Sequence, residues 1–382
     1  RHPFALASLC VAARRLLHAK DVEGARALLE EHATRLPSED YLSDPVVKKL
    51  KHEIGSIGSE GSATTTSSTT TTESSTEGLT ELLRRPPGRA LAQAARGSKA
   101  ALLLNYVRSR ATFGDPLSVC QCIEQFSVDV LSQKRQWFKI VGPEKAEIML
   151  DAFRTAPADG LLLEIGTYLG YSSMRFAIDN PNRKIVSLEV EPTHALTAQY
   201  LIEFAGLQDQ IEVWSGHSQT SLRRLKVECE ARNQRVSAMF MDQCGSRFWQ
   251  DFEAVHATGL VNDGAVVIAD NVLKPGAPRY LYHLHRGPVS SYFDTKVVSV
   301  PEFGMVVVED WLSVALVKVG RPWQDESVQE VMPEKVAELE WFAKTCRERA
   351  EGATGSVPFE SWSKHSADMR VEMKKHFDIA PE

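Results

Sequence analysis

No uninterrupted apolar run in the 382 residues reaches the roughly 18 to 20 that a membrane-spanning helix needs. Cysteine is scarce and scattered. Of Cys10, Cys120, Cys122, Cys229, Cys244 and Cys346 only one pair lies close together, and the paired CxxC spacing of a structural zinc site is missing. That usage points to a reducing compartment, cytoplasmic or another intracellular one. Positive charge is not in excess either: 44 Lys plus Arg against 50 Asp plus Glu leave a formal charge of -6, which offers no basic field to a nucleic-acid backbone or an anionic membrane. The GxGxxG dinucleotide fingerprint is absent as well. The first residues, RHPFALASLCVAARRLL, begin without Met and leave an upstream targeting segment open.

What is present is a globular composition, 43% hydrophobic, 25% charged and 8% aromatic, so any disorder must be local. From Phe4 to Thr34 apolar residues including Leu6, Leu9, Leu16, Leu28 and Leu29 recur at helical spacing, predicting two short helices joined near His18 to Asp21. Residues 1–55 read as a helical extension. A Ser- and Thr-rich tract follows over residues 56–78, with almost nothing apolar to repay ordering, and reads as a flexible linker. The main domain is placed at 79–320, with a charged, helical C-terminal extension over 321–382. Deleting residues 1–78 is expected to leave most cofactor affinity intact. A protein partner for the extensions is not specified by these patterns.

Within the main domain LLLEIG (161–166), KIVSLEV (184–190), IEVWSG (211–216), VSAMFMD (236–242) and GAVVIADN (264–271) are short apolar segments separated by helix-length stretches. This alternation predicts an α/β fold with a doubly wound, mostly parallel sheet. FGMVVVED and WLSVALVKV are expected to add an antiparallel pair at its end. Ligands of such sheets gather at the carboxyl ends of the strands, here Glu164, Glu189, Asp242 and Asp270.

In EIGTYLGYSS, Gly166 and Gly170 stand where a strand turns into a helix, serving either steric crowding or close approach of a nucleotide-like cofactor. Glu189 is suited to a ribose diol or to capping the next helix. Asp242, Asp270 and Asn271 are hard oxygen donors suited to Mg2+, although Asp-Asn after a strand also makes turns and caps. Cys244 has no neighbouring base and reads as a pocket wall. His217 reads as a loop residue.

The collinear series NYVRSRATFGDPLSV, QWFKIVGPEK, LLLEIGTYLGYSSMRFA, EFAGLQDQIEVWSGHSQ, MFMD, ADNVLKPGAP and PEF resembles the catechol O-methyltransferase family from about Leu102 to Gly320. The resemblance implies a seven-stranded methyltransferase fold, S-adenosylmethionine as donor, Mg2+, and a catechol hydroxyl as acceptor, which makes the expected partner a small aromatic diol or phenol. Carried over motif by motif, Val141 and Gly142 would border the donor's methionine part and Glu164 its amino group. Gly166, Tyr168 and Ser172 would shape the turn, Glu189 would bind ribose, and Ser218 and Gln219 would lie by the adenine. Asp242, Asp270 and Asn271 would ligate Mg2+, with Asp242 also beside the donor and Asn271 beside the acceptor. Trp137 and Pro275 would flank the acceptor, and Glu302 would bind its second hydroxyl.

The chain departs from the family where a lysine base is usual, since Asp242 is followed by Gln243, Cys244 and Gly245. Lys139, entering from another loop, is the expected substitute, with Glu302 the other catalytic candidate. A lysine restored at 245 is expected to raise the rate, unless Gly245 has positive φ. Two further readings stand beside the catechol one: methylation of a different phenol, and a non-catalytic S-adenosylmethionine-binding interaction protein.

Overall fold

A computed structural model describes residues 3–33, 43–60, 98–134, 136–320, 332–352 and 357–381. Two compact units are formed by Arg1–Ile123 with Thr193–Gln208, and by Glu124–Pro192 with Asp209–Glu382. The main-domain boundary expected at residue 79 therefore does not separate the compact units. Most of the Ser- and Thr-rich tract lies outside the described residues, but helical structure continues past Ser56 to Glu60.

The first unit is helical. It contains α1 (Pro3–His18), α2 (Val22–Ala33), α3 (Pro45–Glu60), α4 (Lys99–Arg110), most of α5 (Pro116–Phe126) and, from later in the chain, nearly all of α8 (Pro192–Phe204). Leu6, Leu9, Ala13 and Leu16 supply a buried stripe on α1, as helical periodicity requires. The predicted break before α2 occurs at 19–21, where Asp21 Oδ1 accepts from the amide of Gly24 at 2.8 Å.

Buried polar pairs tie these helices to one another. Arg14 on α1 donates to both carboxylate oxygens of Glu203 on α8, at 2.9 and 2.6 Å, and also pairs with Glu53 on α3. Asp44, fully buried, accepts from the amides of Val46 and Val47 at 3.0 and 3.2 Å, from Tyr200 Oη at 2.8 Å and from Arg108 Nε at 3.0 Å. One carboxylate thus caps α3 and joins α4 to α8. Removing residues 1–78 would strip Tyr200, Arg108 and Glu203 of these partners, so the N-terminal helices are part of a core rather than a detachable extension.

The second unit holds the sheet, β1 (Leu161–Ile165), β2 (Ile185–Glu189), β3 (Ile211–Ser215), β4 (Val236–Met241), β5 (Val261–Ala269), β6 (Phe293–Glu302) and β7 (Met305–Val317). Their order is β3-β2-β1-β4-β5-β7-β6, with β7 antiparallel to both neighbours. β1, β2 and β4 are buried at every position, the pattern of parallel strands covered on both faces. The seven-stranded, mostly parallel α/β fold is as expected. Its antiparallel end is not: FGMVVVED and WLSVALVKV fall on one strand, β7, because no turn residue separates them. The partner is Phe293–Glu302, an edge strand of mixed polarity whose buried and exposed positions partly alternate, joined to β7 through Phe303 and Gly304, where φ is +74°.

The C-terminal extension belongs to this unit. α12 (Glu334–Gly352) contributes Val336, Leu339 and Ala343, and α13 (Phe359–Phe377) contributes Met369, Met373 and Phe377, to the same apolar cluster as β1, β4 and β5. No described helix is long and apolar enough to cross a membrane. Asp44→Ala should lower unfolding stability by about 3 kcal/mol, because it leaves a tyrosine, a guanidinium and two helix amides without their shared acceptor. Chemical denaturation of the full chain measures this, and a loss under 1 kcal/mol would show the network to be dispensable.

Candidate functional site

At the carboxyl end of β1 the chain turns sharply at Gly166 (φ +104°), where a Cβ would lie 2.7 Å from the carbonyl of Asp242. Only glycine lets this turn touch the end of β4. Tyr168, also left-handed, donates its amide to Glu189 Oε2 at 2.7 Å, and the other oxygen of Glu189 accepts from the Glu191 amide at 2.8 Å. Glu189 therefore pins the β1 turn to the segment following β2. The Tyr168 ring meets Phe138 edge-on, and burial raises its hydroxyl pKa.

Beneath this turn Glu164 is fully buried and accepts hydrogen bonds from the hydroxyls of Ser172, Ser173 and Ser187. Burial pushes its carboxyl up to about 7, against the opposing pull of those hydroxyls. Val141 and Gly142 open α6 (Gly142–Phe153), and Phe303 packs where a Gly142 side chain would stand. At the start of α9 (Ser218–Arg232), Ser218 donates to Asp251 at 3.0 Å, Gln243 Nε2 donates to the same carboxylate at 3.1 Å, and Gln219 is exposed. The exposed His217 precedes α9 without capping it.

Strand register brings the two metal candidates together. Met241 pairs with Ala269 across β4 and β5, so Asp242 and Asp270 follow side by side, and the Asp270 amide donates to the Met241 carbonyl at 3.0 Å. Asn271 takes a left-handed conformation beside them. Into this edge projects Lys145 of α6, fully buried, with its Nζ 2.7 Å from Asp270, 2.9 Å from Glu302 and 2.8 Å from Asp310. Asn271 Nδ2 donates to Asp310 at 2.6 Å and to Glu302 at 3.2 Å, while Lys274 Nζ lies 3.4 Å from Glu302.

Four carboxylates, those of Asp242, Asp270, Glu302 and Asp310, thus face two ammonium groups. Burial and then the neighbouring Asp270 charge drive the Asp242 pKa well up. Burial raises Asp270 to about 6 despite Lys145. For Glu302 the burial penalty is outweighed by Lys145 and then Lys274, which hold it down to about 2. Burial also works against the charge on Lys145, but its three carboxylates prevail and raise its pKa. Among the described residues no group of three or more His, Cys, Asp and Glu has metal-holding geometry; the expected donor set has two carboxylates and one amide.

Glu302 and Trp137 open onto a cavity of about 860 Å³ in the second unit. Pro275 is not among the residues lining this cavity; it stands in the segment Val272–Gly276 that follows β5, its carbonyl accepting from His365 Nε2 of α13 at 2.8 Å. Lys139 does not join the cluster: its side chain is exposed, and the lysines that reach Glu302 are Lys145 and Lys274. Gly245 is not left-handed. Space is what excludes a side chain there, because a Cβ would lie 2.7 Å from the Gly276 carbonyl and 3.2 Å from the Arg347 guanidinium of α12.

Residues 139–279 match a protein family described as O-methyltransferase. Catechol O-methyltransferase of Mus musculus is 34% identical over 212 residues, 55% of this chain and 76% of that protein. The chain belongs to the O-methyltransferase family of the catechol O-methyltransferases. Catechol O-methyltransferase B of Danio rerio is 33% identical over 208 residues, covering 54% of this chain and 76% of its own. A probable O-methyltransferase of Mycobacterium tuberculosis is 30% identical over 189 residues, covering 49% and 78%. The protein is thus an S-adenosylmethionine-dependent O-methyltransferase by family, and the family match at 139–279 ends before Glu302 and before both C-terminal helices.

Sequence reasoning missed Lys145, Asp310, Lys274 and Asp251. The signal was available for two of them: Lys145 shares a helix face with the buried Met149, and Asp310 interrupts the apolar run of β7, where a charge demands an internal partner.

Two outcomes follow from this geometry. The folded pKa of Glu164, about 7, lies above its ordinary value of 4.5, so its contribution to stability is full below pH 4.5 and is lost as pH rises through about 7. The difference in thermal midpoint between the natural chain and Glu164→Gln should therefore shrink over that window, and a pH-independent difference would contradict it. Gly245→Lys should destabilise the fold by about 1–3 kcal/mol without raising turnover, since overpacking forces the Gly276 turn to move; a stable variant with increased turnover would show that the turn yields.

Proposed function

We propose that this O-methyltransferase transfers the methyl group of S-adenosylmethionine to one hydroxyl of an aromatic vicinal diol, with Mg2+ held by Asp242, Asp270 and Asn271. The observation that carries this reading is the charge imbalance at the β4 and β5 ends. Four carboxylates against two ammonium groups make a formal excess of two negative charges, and that crowding adds to burial in raising the Asp242 and Asp270 pKa values; a divalent cation with oxygen ligands would neutralise the excess and favour both carboxyls in their ionised form. When bound, S-adenosylmethionine supplies a transferable sulfonium methyl and Mg2+ lowers the pKa of a hydroxyl it contacts.

The chain's own residues do the positioning. Gly166, Tyr168, Ser172 and Glu189 form the donor's turn, with Val141 and Gly142 at its methionine end and Ser218 and Gln219 at its adenine end. Glu164 already accepts three hydroxyl hydrogen bonds and retains capacity for one more donor, the amino group. Trp137 and Pro275 flank the aromatic ring. Glu302, kept ionised by Lys145 and Lys274, accepts the hydrogen bond of the second hydroxyl; with a pKa held near 2 it is a poor proton acceptor. With Lys139 exposed and Gly245 packed shut, the departing proton passes to solvent. The rate should rise with pH as the acceptor ionises, and acidic diols should be favoured.

The packed Gly245 favours a second reading, a protein that binds S-adenosylmethionine and has no acceptor chemistry. Calorimetric titration separates the two. Asp242→Asn with Asp270→Asn should abolish the heat of Mg2+ binding, leave S-adenosylmethionine affinity within about threefold and lower turnover of a catechol by 10²-fold or more. Unchanged Mg2+-dependent turnover in that variant would overturn the metal assignment, and methylation of monophenols but not of vicinal diols would overturn the acceptor. Donor binding with no ternary complex would favour the second reading.

A further inference from the structure

The cavity at Glu302 is larger than a single dihydroxy ring requires. At about 860 Å³ it lies in the range of pockets that enclose a drug-sized ligand, roughly 300–1,000 Å³. Trp137, Val141 and Glu302 are among the residues that line it. Two further groups line it: Ser127, Val128 and Ser132 form one wall segment, and Val357, Pro358 and Glu360 form a second wall segment. The second wall lies beyond the residues matched by the family.

This wall is fixed in place. Trp362 of α13 packs with Met305 and Val308 of β7, and Trp137 and Val357 pack against the same cluster. Ser363 donates to the Val307 carbonyl at 3.2 Å, and Arg370 pairs with Glu309 at 2.9 Å. The lining is mainly apolar, and its ionic side chains are Glu144, Glu302 and Glu360; no Lys, Arg or His stands among the described lining residues. A second ring or aliphatic chain is desolvated favourably there, whereas an added carboxylate or phosphate meets charge of its own sign.

We propose that the acceptor is an extended diol, its dihydroxy ring at Glu302 and Trp137 and a bulky, apolar arm without negative charge lying between Val128 and Val357, so that the C-terminal segment selects the substrate. This rests on the diol reading above and names the class of molecule that the site takes.

Single-turnover and steady-state kinetics with catechol, 4-phenylcatechol and its para-carboxy derivative test it, alongside calorimetry of the same three probes with S-adenosylhomocysteine and Mg2+. 4-Phenylcatechol should exceed catechol at least tenfold in kcat/KM, mainly through KM, and the carboxylate should forfeit that gain. Val357→Trp, which fills the cavity, should erase the advantage while leaving catechol kinetics and donor affinity unchanged. Val128→Trp, at an exposed lining position, should do the same if Val357→Trp fails to fold. Glu360→Lys should narrow the gap between the carboxylate and 4-phenylcatechol.

Equal kcat/KM for catechol and 4-phenylcatechol, or equal loss of both in the filled variants, would overturn the proposal. If the donor binds and no vicinal diol is methylated, the diol reading itself fails. Calorimetry then still decides the arm site: binding of 4-phenylcatechol that the filled variants abolish supports it, and no such binding overturns it.

Discussion

A single buried ammonium organises the sheet edge at the candidate site. Lys145 is carried on the helix that follows Val141, and it reaches the end of β5 through Asp270, the end of β6 through Glu302 and the middle of β7 through Asp310. Three carboxylates so close together would repel one another strongly in a low-dielectric interior. The lysine turns that repulsion into a cross-link between the parallel part of the sheet and its antiparallel end. Truncating it would leave several buried charges uncompensated, which is costlier than the loss of an exposed pair. The same contacts set the chemistry of Glu302, a strong hydrogen-bond acceptor and a weak base.

The parallel strands were legible because each combines a short apolar run with a turn, and burial on both faces leaves little room for another pattern. The strand-end residues Glu164, Glu189, Asp242 and Asp270 followed from topology alone. The antiparallel end was misread: in Phe293–Glu302 polar and apolar residues are evenly mixed, as suits an edge, whereas the long β7 carries enough apolar residues for two strands. Lys139 was named, and Lys145 and Lys274 were missed, because a sequence shows which segment holds a charge, not which way the side chain points. The unit boundary was invisible for a similar reason. Asp44, Arg108 and Tyr200 lie far apart in the chain, and only the fold brings them to one carboxylate.

The apolar spacing of the C-terminal helices suggests packing on the domain or on a partner, and in the structure they pack on the domain. Val336, Leu339 and Ala343 of α12 and Met369, Met373 and Phe377 of α13 recur at three- or four-residue spacing and enter the central cluster. Through His365 and Arg347 the helices also hold the Pro275–Gly276 turn, the one that follows the Asp270–Asn271 pair. Residues outside the family match are therefore structural parts of the candidate site's surroundings.

The close packing of Gly245, Gly276 and Arg347 bears on how such a site changes over generations. A side chain at 245 and the arginine on α12 compete for one volume, so substitutions at the two positions are coupled and their effects will not add. A side chain at 245 would need the Gly276 turn to shift as well as the end of Arg347 to give way, so a change at 347 relieves only part of the crowding. Sequence drift at these two sites is thus conditional: each residue restricts which replacements selection will accept at the other.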